Sequence, residues 1–292
     1  MIPDDFTYAA PTNLPQVWDL LRQHEGDAKI LAGGQSLIPL MKLRLASPAY
    51  LIDLRNVPGL TTLAERDGSL IIGAMVTETT LERSPLVRQR YAGIYDASAV
   101  VADPIVRNFA TVGGNVAHAD PANDHPAMLL ALRANVTLQG SRGSRTMSLD
   151  DFMVDTFETA LQGDEVLSEI RVPSPPPQSG SAYIKLERKV GDYAIAAVGT
   201  AVTLENGVCS RVGIGLTNVG PKAIRATQAE TFLTGKQPDD ASIRETARLA
   251  ADAAQPTADL HGPADYKRAM VQTLTARALR LAVQRATAGG GQ

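Results

Sequence analysis

Two short glycine segments, set well apart, constrain this chain more than any other feature. They are Ala32-Gly33-Gly34-Gln35-Ser36-Leu37 and Thr111-Val112-Gly113-Gly114-Asn115. Each follows apolar residues that read as a strand: Lys29-Ile30-Leu31 before the first, Phe109-Ala110 before the second. Paired glycines allow positive φ and let the backbone come close to another group. Bare N–H groups in such a turn form a nest for an anion, typically phosphate. One such loop says little; two suggest a ligand whose pyrophosphate is held from both sides. The first loop is not a Walker loop, because no Gly-Lys-Ser/Thr follows, and it lacks the Gly-x-Gly-x-x-Gly spacing of a Rossmann fingerprint.

The chain has 292 residues, enough for about two domains of roughly 150 residues each. Residues 1–176, divided near 55, read as a first domain with mixed strands and helices, and residues 177–287 as a second. Pro173-Ser174-Pro175-Pro176-Pro177-Gln178-Ser179-Gly180 marks the boundary, since consecutive prolines stiffen a linker. In the first part, Thr12 to Gln23 is predicted as a helix capped by Thr12, with Pro15 in its first turn. Residues 79–95 read as mostly helical, and Asp124 to Leu132 as a further helix. After the boundary, Tyr183 to Lys189, Ala194 to Glu205 and Val208 to Thr217 read as strands, with a hairpin at Asn206-Gly207. Three helical stretches then close the chain, with a frayed end over 288–292. The class is α+β, and the second domain is predicted as a three-stranded antiparallel sheet covered by helices.

Composition narrows the function. Net charge is −3 with no basic block, which argues against nucleic acid as a partner. The one cysteine, Cys209, allows no intrachain disulfide and no cysteine-ligated metal or cluster. His118 and His125 lie seven apart with no third ligand nearby, so no metal site is expected. No apolar run approaches the roughly 18–20 residues of a membrane span, and the first residues do not resemble a secretory signal, so a cytoplasmic protein is expected. No Ser or Cys nucleophile stands in a hydrolase context, and no catalytic residue is assigned.

Other residues could serve a ligand. Thr111 and Asn115 can bond phosphate or ribose. Asp124 can accept from sugar hydroxyls, and it equally sits where a helix cap would sit. Tyr193 follows the turn at Gly191-Asp192 in a chain with only 4% aromatics; it either stacks on a flat ligand or packs on its own sheet. Lys185 alone reads as a solvated charge.

Five segments together resemble one family: residues 32–42 (Ala-Gly-Gly-Gln-Ser-Leu-Ile-Pro-Leu-Met-Lys), 111–115, 120–127 (Asp-Pro-Ala-Asn-Asp-His-Pro-Ala), 189–194 (Lys-Val-Gly-Asp-Tyr-Ala) and 215–219 (Gly-Leu-Thr-Asn-Val). The family is the FAD-binding medium subunit of molybdenum hydroxylases, and the resemblance is strongest to the aerobic carbon monoxide dehydrogenase branch. It runs in order from Met1 to about Arg285. It implies a two-part FAD domain of the vanillyl-alcohol oxidase type, then a small sheet-and-helix domain. It implies non-covalent FAD, with Ala32, Gly33, Gly34, Gln35, Ser36 and Leu37 on one side of the pyrophosphate and Thr111, Gly113, Gly114 and Asn115 on the other. Asp124 matches the family's acidic FAD contact, Lys185 a lysine near the flavin, and Tyr193 the tyrosine that covers the isoalloxazine ring. The implied partners are a large molybdopterin subunit and a small [2Fe–2S] subunit, in a dimer of heterotrimers. Position 35 is glutamine, where many carbon monoxide dehydrogenase-like members have histidine. The reducing substrate stays open among carbon monoxide, an aldehyde and an N-heterocycle such as a purine, nicotinate or nicotine. A self-contained flavin oxidase of the same fold is the rival reading.

Overall fold

The N-terminal residues alternate around a small parallel sheet. In the computed structural model, which describes residues 2–289, β1 (Thr7–Ala9), α1 (Leu14–Gln23), β2 (Ala28–Leu31), α2 (Leu37–Lys42) and β3 (Tyr50–Asp53) follow one another. The strand order is β1-β3-β2, and both pairings are parallel. Successive strand residues point to opposite faces. Ile52 therefore packs with Val17 and Leu21 of α1, while Leu51 packs with Leu31 and with Met41 of α2. The loop 32–36 emerges where β2 ends and α2 begins. Helix α1 keeps Pro15 in its first turn, but its cap is Asn13, not Thr12. Asn13 accepts the Gln16 N–H at 3.0 Å, and Gln16 in turn accepts the Thr12 N–H at 2.9 Å.

The second unit begins with β4 (Leu63–Arg66) and β5 (Ser69–Gly73). Helices α3 (Glu78–Arg83), α4 (Pro85–Arg90), α5 (Ala92–Ala99), α6 (Pro104–Arg107), α7 (Val112–His118) and α8 (Asp124–Ala131) follow. Then come β6 (Asn135–Gly140), β7 (Gly143–Ser148), α9 (Leu149–Phe152), β8 (Met153–Asp155), β9 (Glu158–Thr159) and β10 (Glu165–Pro173). Strands β4-β5-β10-β6-β7 form an antiparallel sheet, and β8 and β9 a separate ribbon. The helical pattern over 79–95 resolves into three short helices. Ser84 ends α3 and caps α4 by accepting the Val87 N–H, with Pro85 at the first position, where its missing N–H costs nothing. Phe109-Ala110 is not a strand; it lies in the turn after α6.

The third unit contains β11 (Ser179–Leu186), β12 (Ala196–Glu205), β13 (Val208–Thr217), β14 (Ile224–Arg225), α10 (Thr227–Leu233), α11 (Asp240–Ala253) and α12 (Ala264–Gly289). Its sheet has four antiparallel strands, not three, in the order β11-β12-β13-β14. The fourth was missed because it is two residues long and merges with the helical stretch after it. Helices α11 and α12 pack with one sheet face through Ile243, Leu274, Ala278 and Leu279. The other face takes α8. Gly213 and Gly215 permit this contact: a Cβ at either would lie 2.7 Å from a backbone carbonyl carbon of α8, at Ala131 and Ala127 respectively. All eight residues of α8 are buried, so this helix is shared by the cores on both sides of it. At the end of α12, Ala288 and Gly289 continue the helix instead of fraying, and residues 290–292 lie outside the described residues. Among the described residues, no helix is long and apolar enough to cross a membrane.

Candidate functional site

Gly34 takes φ +72°, a value that disfavours any side chain, and turns the chain from β2 into α2. The turn leaves a run of donors free. The N–H groups of Gly33, Gly34, Gln35, Ser36 and Leu37 meet no acceptor among the described residues. The Gln35 side chain folds back to donate to Gly33 O at 3.0 Å. Ser36 stands at the cap position of α2 and makes no side-chain cap bond, and its hydroxyl meets no partner among the described residues. Leu37 points its side chain toward Leu31, Met41 and Leu51, which fixes the helix start against the small sheet. Consecutive free N–H groups at a helix start match an anion nest.

The second glycine segment differs from the expectation. It is not a nest: residues 112–118 form α7, and the N–H groups of 112–115 are all used. Val112 donates to Val76 O at 3.0 Å, Gly113 to Ala74 O at 3.1 Å, Gly114 to Thr111 Oγ1 at 3.2 Å and Asn115 to Thr111 O at 2.9 Å. Thr111 is the helix cap. Its glycines serve close approach instead of positive φ. A Cβ on Gly113 would lie 2.5 Å from Ala74 Cα, and one on Gly114 3.4 Å from Ala32 Cβ. Gly33, from the other segment, lies against the backbone of Phe109 and Ala110, where its Cβ would come within 2.9 Å of Ala110 Cα. The two segments therefore abut. One polar atom is left over: Asn115 Oδ1 is buried without a partner among the described residues.

Asn115 O accepts the Asn123 amide N–H at 2.7 Å, which ties α7 to the start of α8. Asp124 is the first residue of α8 and does not cap it. Its Oδ1 accepts from Tyr183 OH at 2.7 Å, and its Oδ2 pairs with Lys185 Nζ at 3.0 Å. Lys185 is not a solvated charge. Its side chain is 2% exposed, and it also donates to Val100 O at 3.0 Å. Burial pushes the Asp124 carboxyl up, opposed by Lys185 and Tyr183. Tyr193 is half exposed, and burial of its hydroxyl, with Asp120 and Asp124 nearby, raises its pKa. Asn218 fixes this corner at φ +58°: its N–H donates to Pro121 O at 2.8 Å, and its amide donates to Ala194 O at 2.5 Å.

Tyr183 and Asn218 were missed as site residues. Tyr183 carries a sequence signal only in hindsight: it precedes Lys185 by two, so both side chains leave the same face of β11. Asn218 sits inside the 215–219 motif, yet its role depends on a contact about a hundred residues away in the chain.

Residues 4–175 match the FAD-binding domain of molybdopterin dehydrogenases, and residues 181–282 match the carbon monoxide dehydrogenase flavoprotein C-terminal domain. The chain belongs to the medium-subunit flavoprotein family of molybdopterin dehydrogenases. It is similar to the carbon monoxide dehydrogenase medium chain of Hydrogenophaga pseudoflava, 43% identical over 97% of this chain and 98% of the relative. It is also similar to the 6-hydroxypseudooxynicotine dehydrogenase complex subunit alpha of Paenarthrobacter nicotinovorans, 37% identical over 98% of this chain and 97% of the relative. Two solved structures share the fold. A carbon monoxide dehydrogenase from Hydrogenophaga pseudoflava superposes with a TM-score of 0.95 at 44% identity, covering 98% of this chain and 99% of that one. Quinoline 2-oxidoreductase from Pseudomonas putida 86 superposes with 0.92 at 35% identity, with the same coverages.

As a medium subunit of this family, the chain is a component of an oxidoreductase and binds FAD. Its own residues fit that cofactor. The free N–H run at 33–37 suits a pyrophosphate, and the buried Asn115 Oδ1, with no partner among the described residues, can accept from a bound ligand. Neither glycine segment contains a histidine or cysteine that could bond the flavin covalently.

Proposed function

We propose that this chain is the flavin relay of a three-component molybdenum hydroxylase. A large molybdopterin subunit oxidises the substrate, and a small subunit with [2Fe–2S] clusters carries the electrons to this chain. Bound FAD supplies the ability to take up electron pairs and hand them to an external acceptor. The five free N–H groups at 33–37 carry this reading, because consecutive unpaired donors at a helix start suit a pyrophosphate. Ser36, Thr111 and Asn115 complete the polar lining, Tyr193 covers the isoalloxazine ring, and Lys185 with Asp124 places a charge pair at its side. The lone cysteine supports the division of labour: Cys209 is buried in the C-terminal core, so thiolate-held clusters must sit on a partner.

The units of the proposed subunit are residues 1–55 and 56–176, which hold FAD, and 177–287, which closes over it. The assembly is a dimer of heterotrimers in the cytoplasm. Relatives of this fold carry names that refer to carbon monoxide, a nicotine derivative and quinoline, which fits a substrate read by another subunit.

The test is to express the chain alone and together with both partner subunits. Alone it should hold one FAD, release it on acid precipitation, pass electrons from dithionite to a dye, and oxidise neither carbon monoxide, aldehydes nor N-heterocycles. Together the three should turn over one of these. Efficient substrate oxidation by the chain alone would replace the relay with a self-contained oxidase.

A further inference from the structure

A second polar chain lies beneath the site, and none of the roles above uses it. Glu78, the first residue of α3, and His125, the second residue of α8, are both 0% exposed. His125 Nε2 meets Glu78 Oε2 at 2.6 Å. Ser98 Oγ, on α5, donates to the same oxygen at 2.9 Å. Glu78 Oε1 and His125 Nδ1 have no partner among the described residues. A pair with two atoms left over is a poor device for stability, since apolar residues of similar volume often serve a core at least as well.

Its position suggests what it does serve. Glu78 lies on the backbone that supports the second segment: its N–H donates to Ala110 O at 3.0 Å, and Thr77 faces Thr111 in an antiparallel bridge. His125 directly follows Asp124, which holds Tyr183 and Lys185. Ionisable groups then follow one another from the core outward: Glu78, His125, Asp124, Lys185 and Glu187, the last 3.4 Å from Lys185 Nζ. Burial works against a charged His125, but Glu78 on α3 and Asp124 on its own helix together raise its pKa. On α5, neutral Ser98 bonds Glu78, and Asp96 accepts the Tyr183 N–H at 3.2 Å and pairs with Arg285; on β11, Lys185 and Tyr183 lie behind Asp124.

We propose that Glu78 and His125 are positioning residues for the cofactor. The pair locks the backbone under Thr111–Asn115 to the start of α8, so that Asp124 keeps Lys185 in place. This inference rests on the FAD reading given above.

The test uses the full chain, stripped of flavin and titrated with FAD, with the dissociation constant read from quenching of flavin fluorescence. Glu78→Ala removes the lock; Glu78→Gln keeps a hydrogen-bonding isostere. A charge-assisted hydrogen bond in a buried site is worth enough that Glu78→Ala should weaken FAD binding by about tenfold or more. Glu78→Gln should recover most of that loss. Affinity of the wild type should be highest with His125 protonated and fall as pH rises through its pKa, and in Glu78→Gln the fall should come at lower pH. Should Glu78→Ala not fold, His125→Gln is read in its place, with the same weakening expected. A merely structural pair would lower the melting temperature and leave the FAD constant of the folded protein unchanged. Wild-type affinity in folded Glu78→Ala or folded His125→Gln, or a pH profile identical in wild type and Glu78→Gln, would overturn the proposal. Failure of the wild-type chain itself to bind FAD would overturn the FAD reading, and this inference with it.

Discussion

Replacing Gly33 with alanine tests whether the contact between the two glycine segments builds the site. The added Cβ would lie 2.8 Å from Phe109 C and 2.9 Å from Ala110 Cα, with Phe109 O closer still. Carbon atoms pack at about 3.5 Å or more, so these two carbon contacts alone part the backbones by about 0.6–0.7 Å, and the closer Phe109 O demands more. No flexible side chain is available to give way. Overpacking of this kind costs about 1–3 kcal/mol, and here it falls on the geometry that faces the pyrophosphate. FAD affinity should therefore drop by about tenfold to a hundredfold, since each 1.4 kcal/mol is a factor of about ten. Gly34→Ala is the contrast. Its Cβ meets Ile38 Cδ1 at 2.7 Å, a movable side-chain end, and its main penalty is φ +72°, about 1–2 kcal/mol for an alanine. That penalty should appear as lost stability more than as lost affinity. The assay is flavin-fluorescence titration of each stripped variant beside its thermal melt. Gly33→Ala with the wild-type FAD constant would refute the reasoning, whatever its melting temperature.

Tyr193→Ala should shift the flavin spectrum and change reoxidation by dye, while FAD affinity falls by no more than about tenfold, because stacking is worth about 0.5–1.5 kcal/mol; unchanged spectrum and reoxidation would make the residue purely structural. Gly215→Ala would bring a Cβ to 2.7 Å from Ala127 C. It should lower the melting temperature by several degrees, at about 2–4 °C per kcal/mol for a chain approaching this size, and an unshifted melt would contradict the packing of α8 on β13. Arg145 holds the Glu165 carboxyl below its usual value through two hydrogen bonds of 2.7 Å. A depressed acid contributes stability that is present above its unfolded pKa, about 4.5, and lost as pH falls through the folded one. Arg145→Gln should flatten that acid-side loss of stability, and an unaltered acid limb of the pH–stability curve would count against the pair.

Much of this was legible in the sequence, for identifiable reasons. Gly33-Gly34 and Pro173–Gly180 announce a turn and a connection through backbone chemistry alone. The long strands β12 and β13 follow from β-branched runs joined at Asn206-Gly207. Thr111–Asn115 misled, because Gly-Gly reads as a loop; only the contact with Ala74 shows that a helix needs glycine there. Asp124 and Lys185 could be singled out but not paired, since 61 residues separate them and the link depends on how β11 meets α8. Strand β14 was invisible because two residues carry no period.

The most direct test of the relay is to mix the oxidised chain, with FAD bound, with the reduced and desalted small [2Fe–2S] partner subunit, and to follow the flavin absorption band. The flavin band should bleach as the cluster absorption recovers, and added dye should restore it. Flavin that stays oxidised beside a reduced partner able to reduce the dye directly would contradict the relay.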